Sequence, residues 1–276
     1  MKKKILIWAN CQGVVLKFML NKYYNDIFEI HCYQNYEFIQ NNKSLPDEFK
    51  NTDIFIYQNY SNSEGEYSLK YIINDVLKKD CCKICFPTLH SCDLIFCYET
   101  NEPENIKTIT QKYIHGKFNY GIEPIQKLIK NNESIENIIK ISKEDNFIDI
   151  TTIEYYKEKT FSFLKSKCST SDIPEIYDFI EQNFTKIRLW HNKNHPTGVL
   201  LNELVKLIFN KLNLNYPSSS NDIEQLEKIL NDWVLPIFPC VKKYYGMDFK
   251  DNCSSWYSPE IKDTDTFIRS YITELY

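Results

Sequence analysis

Two residues far apart in the chain are of types that together support acyl transfer: Cys11, in WANCQGVV (8–15), and His195, in NHPT (194–197). A cysteine is a nucleophile only as its thiolate. A thiol in the first turn of a helix faces unpaired N–H groups and the positive end of the helix dipole, and both favour that form. A histidine within reach can take up and return a proton, and such a Cys/His pair makes and breaks thioesters. Each residue also has a plainer reading: Cys11 as a small buried hydrophobe at a tight strand-to-helix turn, His195 as a capping or core histidine. A thiol at one strand end and an imidazole at another is the arrangement that turns the balance towards chemistry.

Polar groups gather around both. Asn10, Gln12 and Gly13 flank Cys11, Gln58 and Asn59 close the run DIFIYQN, Thr88 and His90 follow FP in FPTLH, and Asn192 and Asn194 precede His195. In acyl transfer the developing oxyanion needs fixed donors, and losing one costs about 10²-fold or more in rate. The backbone N–H groups of 11–13, with the side chain of Gln12 or Gln58, are the expected donors; the other polar groups would line the substrate site. Tyr33, Tyr36, Tyr57 and Tyr60 stand near the same strand ends, where a ring can stack on a sugar or an adenine. Cys82 and Cys85 form a C-x-x-C, but the run Ile84-Cys85-Phe86 reads as a buried strand and no second pair follows at zinc-site spacing, so no metal is expected. The chain has no G-x-G-x-x-G, no P-loop signature, no G-x-S-x-G and no H-E-x-x-H, which argues against a nicotinamide dehydrogenase, a P-loop kinase, a typical α/β-hydrolase and a zincin.

The elements that must position these residues alternate in the first half. KILIWA (4–9), FEIHCY (28–33), DIFIYQ (53–58) and KICFP (83–87) have strand length and strand patterning. Between them VVLKFMLNKYY (14–24) and SLKYIINDVLKK (68–79, Ser68 as cap) have helical spacing. This alternation predicts βαβ units, hence a parallel sheet with helices on both faces and ligands bound beyond the carboxyl ends of the strands. The second half reads as mostly helical: 124–130, 134–143, 153–165, 171–184 (capped by Ser171 or Asp172, with Pro174 in its first turn), 198–212 and 222–230. IRLW (187–190) is a possible last strand, with Pro196 and Thr197 opening the helix that follows. The expected organisation is one α/β catalytic domain over 1–215 and a helical or irregular extension, 216–276, packed on it.

Composition narrows the setting. The 276 residues are 43% hydrophobic and 25% charged, an ordinary globular balance, and 33 basic against 37 acidic side chains leave a net charge of −4. No basic field points to nucleic acid and no apolar run is long enough to span a bilayer, so a soluble protein is expected. The start, MKKKILIWANCQG, has too short an apolar run for an export signal; the ten cysteines are then expected as thiols in a reducing cytoplasm, with Cys32, Cys85 and Cys97 as packing residues.

Taken together, NCQG (10–13), DIFIYQNY (53–60), FPTLH (86–90) and NHPTGVLLNEL (194–204) resemble the WcbI-type polysaccharide-biosynthesis family over roughly residues 3–212. The resemblance implies an SGNH-hydrolase-like (flavodoxin-like) three-layer α/β fold, binding of coenzyme A or acetyl-CoA, and an acetyltransferase acting on a carbohydrate acceptor in capsular or other surface polysaccharide. It sets Cys11 in the place of the SGNH nucleophilic serine and Asn192-Lys193-Asn194-His195 in the place of D-x-x-H. Asn192 cannot support an imidazolium as a carboxylate does, so either another acid does this or the site runs as a Cys/His dyad. Ala9 stands where the family usually has Gly. Two other readings use the same residues: a carbohydrate esterase with water as acceptor, and a non-catalytic sugar- or nucleotide-binding protein.

Overall fold

The computed structural model describes residues 2–60, 65–91, 94–95, 118, 121–250, 252–256 and 258–276; Cys92 and Cys97 lie outside them. In chain order the elements are β1 (Lys3–Ala9), α1 (Gln12–Tyr24), β2 (Phe28–Gln34), α2 (Asn35–Asn41), β3 (Ile54–Gln58), α3 (Leu69–Tyr71, continued by a π-helical turn Ile72–Val76) and β4 (Cys82–Phe86). They continue with α4 (Glu123–Lys130), α5 (Ile135–Ile141), α6 (Ile150–Ser169), α7 (Ile176–Asn183), α8 (Gly198–Lys211), α9 (Ser220–Glu227), β5 (Trp233–Val234), α10 (Pro239–Tyr245), β6 (Ser254–Ser255) and α11 (Thr264–Leu275). By its contacts the chain divides into two compact units. One comprises 1–89, 164–180 and 198–229; the other comprises 90–163, 181–197 and 230–276.

The first unit is built on a parallel sheet of order β2-β1-β3-β4. Strand β1 is buried from Ile5 to Ala9 because both its faces are covered, which is why it reads as an unbroken apolar run. Leu6 and Trp8 point into a cluster with Phe49, Phe55, Ile72 and Leu77. On the other face lie Ile7 and Ala9, against α1. There Gly13 has no room for a side chain: a Cβ would lie 2.9 Å from that of Ala9 and 3.0 Å from Ile7 Cγ2. Its φ is not positive, so this glycine serves close helix–strand packing rather than a bend.

Helix α8 packs on α1 and β4, and α9 packs on α8. The α8–α9 approach is closest at Gly198, where a Cβ would come within 2.4 Å of Ile223 O and 2.7 Å of Glu227 N. Asp222, fully buried, ties α9 to α1. It accepts hydrogen bonds from Lys22 (2.6 Å), Tyr23 (2.8 Å) and Ser219 (2.8 Å). Burial alone would raise this carboxyl, but the bonds from Lys22, Ser219 and Tyr23 bring it down to about 2. Burial likewise pushes the thiols of Cys32 and Cys168 up to about 12 and that of Cys85 to about 11, as expected of packing cysteines.

In the second unit α11 presents Phe267 and Tyr271 to Phe118 and Trp233. Trp233 belongs to the two-stranded antiparallel ribbon β5–β6, with Trp233 opposite Ser255 and Val234 opposite Ser254. This packing fixes the ribbon and, with it, the residue just before it, Asp232.

Four expectations change. IRLW does not join the sheet: Trp190 instead makes an isolated antiparallel bridge with Pro196, which lies before α8 rather than in its first turn, while α8 starts at Gly198 as expected. Helix α7 begins at Ile176, because Asp172 is engaged elsewhere, accepting the Cys85 N–H at 2.6 Å while its own N–H donates to Cys85 O at 2.9 Å. The helix expected over 68–79 is shorter, α3 opening into a wider π turn that ends at Val76, though Ser68 caps it by accepting the Tyr71 N–H. The helix expected over 222–230 runs from Ser220, with Ser219 and Asp222 forming a reciprocal capping box.

Candidate active site

The first unit holds one group of polar residues at the point where the sheet order reverses. Strands β1 and β3 are neighbours, and beyond their carboxyl ends the chain leaves as Asn10-Cys11 and as Asn59; this crevice is where doubly wound sheets bind ligands. Cys11 is the residue preceding α1 and is half-buried. It does not cap the helix with its side chain. Asn10 does that work: its Oδ1 accepts the Gln12 N–H at 2.9 Å and its backbone O accepts the Gly13 N–H at 2.9 Å. The Cys11 N–H meets no acceptor among the described residues, so one backbone donor is left beside the thiol.

Gln12 and Gln58 are both buried and spent on the scaffold. Gln58 Oε1 accepts the Asn10 N–H at 2.8 Å and its Nε2 donates to Gln12 Oε1 at 2.9 Å. Gln12 then closes a two-way bond with Leu89, accepting its N–H at 3.2 Å and donating to its O at 3.3 Å. These amides lock the turn to the ends of β3 and β4. Asn59 is similarly tied, donating to Thr170 Oγ1 at 2.6 Å and accepting from Lys167 at 3.2 Å through its O. Thr88 is buried.

Of the strand-end tyrosines, Tyr33 packs on Phe38 and Phe49, Tyr57 stacks on Phe55, and Tyr60 accepts from Trp8 Nε1 at 2.8 Å. Tyr36 remains exposed. Burial raises its hydroxyl above the ordinary value, and the nearby Cys11 sulfur adds to the shift.

The second unit holds the other group, which is a tightly tied loop. His191 N–H donates to His195 O at 2.8 Å, and Asn192 Oδ1 accepts the N–H groups of Asn194 (3.0 Å) and His195 (3.1 Å). Arg188 clamps the loop from outside through Trp190 O and Leu235 O. Asn192 is thus structural, Asn194 is exposed, and His90 stacks on Phe163. His195 is half-buried, and its Nδ1 lies 2.9 Å from Asp232 Oδ1. The carboxylate absent from the N-x-x-H stretch is therefore supplied from 37 residues downstream. It is held in place on both sides: Asn192 Nδ2 donates to Trp233 O at 3.0 Å, and Trp256 N–H donates to Asp232 O at 3.0 Å.

Sequence reading did not find Asp232. The one local signal is an acid set just before the apolar run WVLPIF (233–238), in a segment with no periodicity to classify it. Two clefts in the second unit, of about 570 and 680 Å³, are lined by α4–α6 and by α6, α7 and α10 residues, and neither includes His195 or Asp232.

A family model described as "Polysaccharide biosynthesis enzyme WcbI" matches residues 4–217. A solved structure described as WcbI, a novel polysaccharide biosynthesis enzyme, in its native form without a disulfide bond between coenzyme A and a cysteine, is similar in fold. Its TM-score is 0.71 at 16% identity, over 100% of this chain and 89% of that one. No curated protein sequence matches the chain.

Proposed function

The chain belongs to the WcbI family of polysaccharide biosynthesis enzymes, and from that premise we propose that it is a coenzyme A-dependent acyltransferase. It moves an acetyl group from acetyl-CoA to a hydroxyl of a sugar destined for surface or capsular polysaccharide. The observation that carries this reading is the His195–Asp232 pair. With Nδ1–H bound to the carboxylate, Nε2 keeps its lone pair and can accept a proton, and the aspartate stabilises the imidazolium that forms.

Cys11 is the proposed nucleophile. Its sulfur attacks the thioester carbonyl, the bond to the CoA sulfur breaks, and CoA leaves as the thiol after taking up the proton. A sugar hydroxyl then attacks the Cys11 thioester while its proton passes to His195 Nε2, and the Cys11 sulfur is released. The Cys11 N–H is the proposed oxyanion donor in place of the Gln12 and Gln58 amides, while those two residues, with Asn10 and Gly13, hold the turn rigid. The fold is read as SGNH-hydrolase-like, supported by the order β2-β1-β3-β4 and by a nucleophile directly after β1. Support for coenzyme A comes from the structural relative, whose description sets CoA against a cysteine.

Thermal denaturation with added CoA and acetyl-CoA tests the reading. A ligand that binds the native state at a hundredfold excess over Kd stabilises by about 2.7 kcal/mol, so the melting temperature should rise with either compound. No shift with either would remove the transferase from consideration.

A further inference from the structure

The chain has four tryptophans, and three are buried: Trp8 and Trp190 are 0% exposed and Trp233 is 2% exposed. Trp256 is 60% exposed, the highest value among the described large apolar side chains that are exposed. A single exposed apolar side chain is ordinary on a protein surface, so the weight falls on where Trp256 sits, tryptophan being enriched at binding interfaces for its apolar body and polar N–H.

Its place in the fold says what it could bind. Ribbon β5–β6 pairs Trp233 with Ser255 and Val234 with Ser254, so one further step in the same register sets Asp232 opposite Trp256. The Trp256 N–H bond to Asp232 O, 3.0 Å, confirms that step. Residues directly opposite in an antiparallel pair project on the same face. The burial pattern agrees: Trp233 and Ser255 are buried together, whereas Val234 and Ser254 are not. The indole of Trp256 and the carboxylate of Asp232 therefore share one face of the ribbon, and that carboxylate holds His195.

Around the ribbon, three buried polar atoms have no hydrogen-bond partner among the described residues: Asn231 Oδ1, Trp233 Nε1 and Ser258 Oγ. Unpaired buried polar atoms are rare in native proteins; Trp233 Nε1 lies on the ribbon face opposite to Asp232 and Trp256, so it is not available to a ligand on their face.

We infer that Trp256 is the stacking platform for the acceptor, taking the apolar C–H face of a pyranose ring on its indole and so presenting a ring hydroxyl to His195. The inference rests on the proposed acetyl transfer for its direction, and Trp256 acts by positioning the acceptor rather than by moving a proton.

Tryptophan fluorescence makes the test direct, since the other three indoles are buried. Wild-type protein, Trp256→Ala and Trp256→Phe are titrated with glucose, galactose, mannose and N-acetylglucosamine as their methyl glycosides and short oligosaccharides, with acrylamide quenching as the readout of exposure. CoA-induced thermal stabilisation is measured on the same samples. The expected result is that at least one saccharide protects wild-type fluorescence from acrylamide, that calorimetric affinity falls about tenfold or more in Trp256→Ala and is largely kept in Trp256→Phe, and that stabilisation by CoA is equal in all three.

A saccharide bound equally by Trp256→Ala overturns the inference, as does a wild type that CoA stabilises but no saccharide protects. Trp256-dependent sedimentation with phosphatidylglycerol vesicles, without saccharide binding, assigns the indole to a lipid surface and also overturns it. Saccharide binding that needs Trp256 in a protein that CoA does not stabilise leaves the platform standing and sinks the transferase reading instead.

Discussion

Asp232 changes what His195 can do. A lone imidazole at the end of a polar loop is free to turn, and nothing chooses which of its nitrogens carries the proton. With Nδ1 2.9 Å from Asp232 Oδ1, the carboxylate favours the tautomer with its proton on Nδ1, the form in which Nε2 would serve as the proposed base. Asp232→Asn keeps the shape but replaces the carboxylate by a neutral amide. Acetyl transfer should fall by about 10²- to 10⁴-fold while the melting temperature changes little, both partners being partly exposed, and a coupled assay of CoA release measures it.

The neighbouring imidazole is tuned oppositely. Burial, then the charges of Arg188 and His195, depress His191 from 6.5 to about 3, so the folded protein keeps it neutral. The unfolded chain takes up this proton below about pH 6.5. Between there and about pH 3 the unfolded state thus binds more protons, and stability falls as pH falls, by up to about 1.4 kcal/mol per pH unit. Urea midpoints at pH 7, 6, 5 and 4 should show that slope in the wild type and a shallower one in His191→Gln.

At the scale of elements, the close contact of α8 with α9 is the sharpest constraint. Gly198→Ala drives a methyl into backbone atoms of Ile223 and Glu227, which no rotamer change can relieve, and should cost about 1–3 kcal/mol by urea denaturation. Had the glycine been needed only to start the helix, alanine would be neutral or stabilising. The elements also show what was legible in the chain. Strands β1 to β4 and helices α1, α4, α5, α6 and α8 carry their period in the order of apolar residues, and each was read to within a few positions. Helix α2 was missed because Asn35–Asn41 is only two turns long, directly follows a strand, and buries little beyond Asn35. Helices α10 and α11 lie in the aromatic-rich tail, where no clear spacing separated them. Ribbon β5–β6, two residues per strand, has no periodicity at all, and its register depends on Trp233 packing against Phe118 and Phe267.

The site followed the same rule. Cys11 and His195 could be singled out because each is a reactive type beside an element boundary. Asp232 could not, because its role is defined by a partner 37 positions away. Gln12 and Gln58 were singled out for their type, but burial turned them into each other's partners.

For the whole molecule, the family match over residues 4–217 stops short of Asp232, Trp256 and the ribbon that carries them. The segment least readable in the sequence supplies the carboxylate that supports the proposed base. Among the described residues no helix is long and apolar enough to cross a membrane. The central claim of the proposed function is that Cys11 carries the acetyl group, and that half-reaction needs no acceptor sugar. Wild-type protein mixed with acetyl-CoA, quenched in acid and digested, should yield the peptide containing Cys11 with one added acetyl group, and Cys11→Ala should yield none. Transfer of acetyl to carbohydrate by Cys11→Ala at the wild-type rate, with no acetylated Cys11 in the wild type, would contradict the account.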